Sequence, residues 1–357
     1  MAEELDICLD FPLHDLLALQ LPVTARFYVR VTQVSQLLAA LKWARRQGHP
    51  FLVLGNGTNM VLRDCFAGLV IHMDIRGVQH WPGPDANSML IQVAAGENWP
   101  DLVAHSVQCG WYGLENLSSI PGSVGAAPIS NIGAYGVELA QVLESVEVLD
   151  TERLERTTLR TQDCDLSYRR SRFSQAAQST FRNGRLLAAA VSVKWIILAI
   201  RLRLSTVPCM NLSHAGLKLA VRHRKLDPKL LNPAQVAGLV TEIRQQKLPS
   251  VSECPNVGSF FLNPRIPAEQ HRELQARFPN LVSRRIGQGY ELSAAWLIEQ
   301  SGWKGKAVQA AKVSAQHALI LVNRGGDGQA IVDLALAIAA DIQKTYGIDL
   351  QPEPAIY

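Results

Sequence analysis

The sequence predicts an α+β chain of two or three domains, and three observations carry that prediction. Its 357 residues exceed one domain at ~100–200 residues each. With 48% hydrophobic and 18% charged residues, it can bury a sizeable core. Short apolar runs with strand character are interspersed with longer stretches at helical spacing. The net charge of +4, without a dense Lys/Arg run, argues against a nucleic-acid binder. Six scattered cysteines (Cys8, Cys65, Cys109, Cys164, Cys209, Cys254) lack paired metal-ligand spacing. Free thiols in a reducing compartment and no metal are therefore expected. The acidic start from Met1 to Asp6 is unlike a signal peptide. The most apolar run, Leu186 to Leu204, is broken by Lys194, Arg201 and Arg203, short of the ~20 apolar residues of a membrane span. It reads as buried strand, and a cytoplasmic protein with no membrane span is expected.

Val34, Leu37, Leu38, Leu41 and Ala44 recur at helical spacing, and Gly48 and Pro50 close that helix. Phe51 to Leu54 reads as a buried strand running into Gly55-Asn56-Gly57-Thr58-Asn59. This pentapeptide lacks the third glycine of a dinucleotide fingerprint. Met60-Val61-Leu62 after it reads as strand, where a Rossmann site needs a helix. Two readings stay open. One is a plain hairpin turn. The other is a strand–loop–strand nest whose successive N–H groups hold a pyrophosphate, helped by the Asn56, Thr58 and Asn59 side chains. Alternation from Met89 to Val93 predicts another strand, and Trp99 to Cys109 a helix stopped by Gly110.

The stretch Gly113 to Gly136 holds five glycines and two prolines, which oppose a long helix. Its Leu114, Leu117, Ile120, Val124, Ile129, Ile132 and Tyr135 oppose a disordered linker. What remains is an ordered loop, either packed tightly between core elements or approached closely by a phosphate or a flavin ring. Val146 to Leu149 and Leu154 to Leu159 read as a hairpin around Asp150-Thr151. Three arginines in Tyr168-Arg169-Arg170-Ser171-Arg172 have the composition of a solvated face. Composition changes after Pro208, where a C-terminal domain is placed. Asn232 caps and Pro233 opens a helix with Val236, Leu239, Val240 and Ile243 on one face, ending at Lys247-Leu248-Pro249. Asn256 to Pro264 contains Gly258-Ser259-Phe260-Phe261, where Ser259 is either a partly desolvated donor or a turn serine bonded to its own backbone. A helix (Ser293 to Gln300), a strand (Ala318 to Asn323), a helix (Ala330 to Lys344) and a last strand carrying Leu350-Gln351-Pro352-Glu353-Pro354 complete the chain.

Residues 113–136 resemble the flavin-contacting segment of the bacterial UDP-N-acetylenolpyruvoylglucosamine reductase family, the UDP-N-acetylmuramate dehydrogenases. Further matches follow in the family's order over most of the chain. The resemblance implies an FAD-binding two-subdomain region of the PCMH or vanillyl-alcohol-oxidase-like type over about residues 21–207, with subdomains 1–75 and 76–207. It implies a C-terminal α+β substrate domain, 208–357, whose last strand returns to the active site. Non-covalent FAD is expected on Gly55, Asn56, Gly57, Thr58 and Asn59, and on Pro121, Gly122, Ser123, Gly125, Ala126, Ile129, Ile132 and Gly133, with NADPH as reductant. The implied reaction reduces the enolpyruvyl ether of UDP-N-acetylglucosamine to UDP-N-acetylmuramate for peptidoglycan synthesis. A modest positive charge suits these anionic ligands, and a monomer is expected.

Residue by residue, Tyr168-Arg169 matches a Tyr-Arg pair with a catalytic arginine, whose planar fork suits a carboxylate. Ser259, twelve residues after Lys247, matches the proton donor, and Glu353 matches a catalytic glutamate. Tyr168, Arg244, Lys247 and Asn263 are expected on the substrate side. His214 stands where the tyrosine-loop subclass carries a substrate-closing tyrosine, so it is either a replacement or an exposed loop residue. The family's Asn-Thr pair is replaced around His14 to Leu17, and its aromatic between Asn280 and Leu292 by Val282-Ser283-Arg284-Arg285. Near Thr180 to Ala190 the chain is longer than the family pattern, which reads as a surface-loop insertion. Two rivals remain. An oxidase of the same fold often tethers flavin through histidine, which both glycine loops lack. A degenerate paralogue would bind FAD or a sugar nucleotide without turnover.

Overall fold

A computed structural model describes residues 5–174, 178–182 and 184–357. Met1 to Glu4 of the acidic start, and Asn183 within the Thr180 to Ala190 stretch, lie outside the described residues. The chain opens with β1 (Cys8–Pro12), β2 (Thr24–Val31), α1 (Val34–Gln47), β3 (Phe51–Leu54), β4 (Met60–Val61) and β5 (Phe66–Met73). Its first sheet runs β1-β2-β5-β3, with β2, β5 and β3 parallel and β1 antiparallel at the edge. Leu37, Ala40, Leu41 and Ala44 form the buried face of α1, and Gly48 ends it at φ +68°.

Then come β6 (Val78–Pro82), β7 (Ser88–Ala94), α2 (Trp99–Gln108), β8 (Gly133–Ala134), β9 (Val137–Glu138), β10 (Leu143–Asp150), β11 (Glu155–Arg160), β12 (Thr180–Arg182), β13 (Arg185–Leu187) and β14 (Trp195–Ser205). The second sheet, β11-β10-β14-β7-β6, is antiparallel throughout. The hairpin read around Asp150-Thr151 is β10–β11. The apolar run from Leu186 is not one strand. The chain turns through Ser192, at φ +60°, so that Arg185–Leu187 pairs with Thr180–Arg182 and only Trp195–Ser205 enters the large sheet.

The remainder forms α3 (Ala215–His223), α4 (Pro233–Lys247), β15 (Asn256–Ser259), β16 (Arg265–Pro267), α5 (Ala268–Arg277), β17 (Ser283–Ile286), β18 (Gly289–Leu292), α6 (Ala294–Gln300), β19 (Ala307–Val308), β20 (Ala311–Val313), β21 (Ile320–Asn323), α7 (Gly328–Tyr346) and β22 (Ala355–Ile356). Asn232 and Gln235 cap α4 reciprocally, with Pro233 in its first turn. Two small sheets, β15-β21-β20-β19 and β16-β18-β17, complete this part.

The first sheet is a middle layer. Tyr28, Leu52, Leu54 and Val70 join a core with α6, α7 and the last residues, whereas Val29, Val31, Leu69 and Ile71 face a second core with α1 and the large sheet. Parallel strands buried on both faces explain why Phe51 to Leu54 is continuously apolar. The chain returns to this layer at its end, where β22 pairs in parallel with β4 through Ala355–Met60 and Ile356–Val61. The strand expected from Leu350 to Pro354 is instead irregular chain with a single bridge, Phe261 to Pro352, followed by a bend at Glu353 and Pro354. Pro352 and Pro354 offer no N–H, so only the Glu353 amide between them bonds sideways, to the Phe260 carbonyl at 2.8 Å. The Thr180 to Ala190 stretch, expected to be a surface-loop insertion, is anchored in the interior: Phe181 is buried in the first core beside Phe261, because its apolar ring finds cover there. No helix of the described residues is long and apolar enough to cross a membrane, and all six cysteines are unpaired.

Candidate active site

A cavity of about 1040 Å³ opens where the two glycine loops, β14, β15 and the last residues meet. Ligand pockets commonly reach ~300–1,000 Å³, so there is room here for a dinucleotide and part of a second ligand. Gly55, Asn56, Gly57, Thr58 and Asn59 line one wall, and Pro121, Gly122, Ser123, Gly125, Ala126, Ile129, Ile132 and Gly133 another. The two loops press on each other. A β-carbon on Gly55 would lie 2.4 Å from Ser123 Oγ, and one on Gly122, at φ +135°, would lie 3.2 Å from Thr58 Oγ1. Thr58 Oγ1 donates to the Pro121 carbonyl at 3.3 Å. Gly57 serves a different neighbour: at φ +60°, its β-carbon would sit 2.0 Å from the Leu16 carbonyl oxygen. Its need for glycine therefore comes from that packing, not from a ligand on the cavity side.

These walls fit FAD. Among the described residues, the backbone N–H groups of Gly55 to Asn59, and of Gly122 and Ser123, meet no protein acceptor. Clustered unpaired amides suit an anion such as a pyrophosphate. Ile129 lines the cavity while 37% exposed, and Ile132 and Ala126 add apolar surface suited to a flat ring.

Arg169, Ser259 and Glu353 line the same cavity. Arg169 Nε lies 3.4 Å from Glu353 Oε1, and its Nη2 donates to the Gly133 carbonyl at 2.9 Å. The guanidinium thus ties the flavin-side loop to the chain end. Arg169 adopts φ +52°, and Ser119, also in the wall, φ +58°; non-glycine residues held there are strained, and such strain gathers at functional sites. Burial pushes the Glu353 carboxyl above its ordinary range, with Arg169 pulling it partly back. Ser259 ends β15 after Gly258, at φ +74°, whose amide donates to Asn256 Oδ1. The Ser259 hydroxyl has no hydrogen bond to its own backbone.

The other expected residues scatter. Arg244 lines the cavity, and its Nε donates to the Ser119 carbonyl at 3.2 Å; burial lowers its pKa. Tyr168 lies outside the cavity lining, under the Arg265 guanidinium at 4.4 Å, with its hydroxyl pKa raised by burial. Lys247 Nζ would lie 3.7 Å from a β-carbon on Gly216, beside His214 and outside the lining. His214 is a helix cap: its Nδ1 accepts the Gly216 N–H at 3.1 Å and its ring meets Tyr135 edge-on at 5.0 Å. Burial first, then Lys247 and Arg284, lower its pKa. Asn263 accepts the Ala294 N–H at 3.0 Å at the start of α6 and lines a separate cavity of about 380 Å³. Lining residues absent from the sequence reading include Gln178, Lys312, Ser314, Gln316 and Tyr357, the last with its hydroxyl pushed up to about 12 by burial. They sit singly in segments without motif, so nothing local marked them.

Residues 25–153 match a family model described as an FAD binding domain, and residues 249–357 one for the UDP-N-acetylenolpyruvoylglucosamine reductase C-terminal domain. The chain is 38% identical to the UDP-N-acetylenolpyruvoylglucosamine reductase of Alcanivorax borkumensis, covering 97% of this chain and 95% of that protein. It is 37% identical to that of Amoebophilus asiaticus, covering 98% of each. Among solved structures, a UDP-N-acetylenolpyruvylglucosamine reductase from Thermus caldophilus superposes with a TM-score of 0.62, at 21% identity and 99% coverage of both chains, which shows a shared fold. Near-full-length identity to these relatives, on a fold whose glycine loops fit FAD, places the chain in the UDP-N-acetylenolpyruvoylglucosamine reductase family.

Proposed function

We propose that the protein reduces the enolpyruvyl ether of UDP-N-acetylglucosamine to the lactyl ether, UDP-N-acetylmuramate, at the expense of NADPH. The observation that carries this is the convergence of Arg169, Ser259 and Glu353 on the cavity walled by both glycine loops. The Gly55 to Asn59 and Gly122–Ser123 amides would hold FAD, which when bound would supply hydride transfer from NADPH to the enolpyruvyl methylene carbon, so that this carbon becomes a methyl group. Arg169 is suited to hold the substrate carboxylate as negative charge spreads onto it. Glu353, with its raised pKa, is suited to share a proton with that enolate-like carboxylate, while the unengaged Ser259 hydroxyl protonates the neighbouring carbon. One hydride and one proton balance the reduction.

Arg244 and Lys247 form the cationic approach for the diphosphate in this proposal, the neutral His214 ring lies beside Lys247, and Tyr168 orients Arg169. We assign 1–75, 76–207 and 208–357 as its three units. The unpaired thiols fit a reducing compartment, and we place the enzyme in the cytoplasm as a monomer. Anaerobic reduction by NADPH, followed by mixing with the enolpyruvyl substrate, tests the proposal. Flavin should bleach and then recover its colour at a catalytic rate. Reoxidation by oxygen alone, or no reoxidation, would point to an oxidase or to a protein without turnover.

A further inference from the structure

The hairpin β12–β13 and its lead-in bond to the Arg169 backbone and to Gln351 and Ile356, the residues on either side of Glu353. Gln178 Nε2 donates to the Arg169 carbonyl at 3.3 Å. The Ser179 hydroxyl accepts the Ile356 N–H at 2.7 Å and donates to the Ile356 carbonyl at 3.2 Å. The Phe181 N–H donates to Gln351 Oε1 at 3.0 Å, and Gln351 Nε2 returns a bond to the Phe181 carbonyl at 3.1 Å. After the hairpin, the Ala189 N–H donates to Ile356 at 2.8 Å. Among the described residues, no other stretch bonds both to the Arg169 backbone and to the segment that carries Glu353.

That segment needs outside support. Pro352 and Pro354 flank Glu353 and lack N–H groups, so the chain there cannot join a continuous ladder. Arg169, on the other side of the pair, sits at a strained φ of +52°. Ser179 is 3% exposed and Phe181 8%, and Phe181 packs on Phe261, two residues beyond Ser259. Hydrogen bonds shielded from water hold position better than exposed ones.

We propose that the hairpin is a clamp, with Ser179, Gln351 and Gln178 as positioning residues that hold Glu353 against Arg169 for the proton step. The proposal rests on the catalytic roles assigned above. None of the three residues needs to touch the substrate. Each sets where the carboxylate of Glu353 stands, and a displacement of about 1 Å at a reacting group costs up to ~10²-fold in rate.

The test measures the two half-reactions of the full-length holoenzyme separately, in Ser179→Ala and Gln351→Ala. Each should slow reoxidation by the enolpyruvyl substrate by about 10- to 100-fold, with flavin reduction by NADPH and FAD affinity within about twofold of the parent. Ser179→Thr keeps a hydroxyl and should recover most of the rate. In a Glu353→Gln background, neither change should cost more, because both act through Glu353. Should Ser179→Ala fail to fold, the half-buried Gln351→Ala decides alone. Equal losses in both half-reactions, additive losses in the Glu353→Gln background, or an unchanged reoxidation rate would overturn the clamp. A parent enzyme that is not reoxidised by the enolpyruvyl substrate would instead overturn the proposed function, and the clamp with it.

Discussion

Arg169 Nε stands 3.4 Å from Glu353 Oε1, a pairing that joins the loop beside the flavin wall to the last residues of the chain. The two side chains are 24% and 20% exposed, so solvent screens them little. Burial and the guanidinium act on the carboxyl in opposite senses, and burial dominates. The pair therefore offers one fixed cation and one carboxyl whose proton is retained above the usual pH range.

The first consequence is a pH profile. If Glu353 works in its protonated form, reoxidation by the enolpyruvyl substrate falls as pH rises through the raised pKa of Glu353 and is constant below it. Glu353→Gln should lower the rate and remove that alkaline limb. Stopped-flow reoxidation across pH checks this, and a limb that persists in Glu353→Gln would assign it to another group.

Ser259 carries a separate test. Ser259 lines the cavity, and its hydroxyl makes no hydrogen bond to its own backbone. Ser259→Ala should leave FAD bound and reducible by NADPH, yet slow reoxidation by ~10²–10³-fold, the typical cost of one lost transition-state donor. Ser259→Cys should retain part of the rate. Equal slowing of both half-reactions would return Ser259 to a structural role.

Gly57 separates packing from ligand binding. A β-carbon would meet the Leu16 carbonyl at 2.0 Å, on a residue at φ +60°. Gly57→Ala or Gly57→Val should thus destabilise the fold by about 1–3 kcal/mol, in the apoprotein as well as the holoprotein. Urea unfolding of both forms measures it. Loss of FAD affinity with unchanged apoprotein stability would move the constraint to the cofactor.

His214 combines a cap with a ring. His214→Ala removes the acceptor of the Gly216 N–H, and caps of this kind contribute ~0.5–2 kcal/mol. His214→Asn should restore stability but not KM for the enolpyruvyl substrate, which should be raised in both variants, with flavin reduction unaltered. The folded pKa lies below the ordinary value of 6.5, so the cap's contribution is full above that pH and is lost as pH falls through the lowered value. An unchanged KM in His214→Ala would confine the residue to the cap.

Much of the local structure was legible in the residues themselves. The face of α1 with its Gly48 stop, the Asn232-Pro233 start of α4 and the β10–β11 hairpin each depend on residues within a few positions of one another. The glycine loops were legible for the same reason: glycine density and the strand-like residues after Gly55-Asn56-Gly57-Thr58-Asn59 excluded both a helix and a Rossmann turn.

The rest was decided by long-range pairing, which leaves no local trace. The absence of a side chain at position 57 reads as room for a ligand until the Leu16 backbone is found behind it. Asn263 is expected on the substrate side, and only the fold shows its side chain accepting the Ala294 N–H at the start of α6. His214 reads as an exposed loop residue or a replacement for the substrate-closing tyrosine, and only the fold shows its nitrogen on the Gly216 N–H and its ring against Tyr135. The β12–β13 hairpin reads as a cheap surface-loop insertion because its composition does not show what it covers. Only the folded chain brings Ser179 and Phe181 to Ile356 and Gln351. The sequence by itself determined which residues could do chemistry and which segments could be helix, strand or close-approach loop, since sterics, capping and apolar periodicity act over a few residues. Tertiary structure alone decided which of those residues share a cavity, because prolines at 352 and 354 leave the Glu353 segment to be held by donors and acceptors from distant parts of the chain.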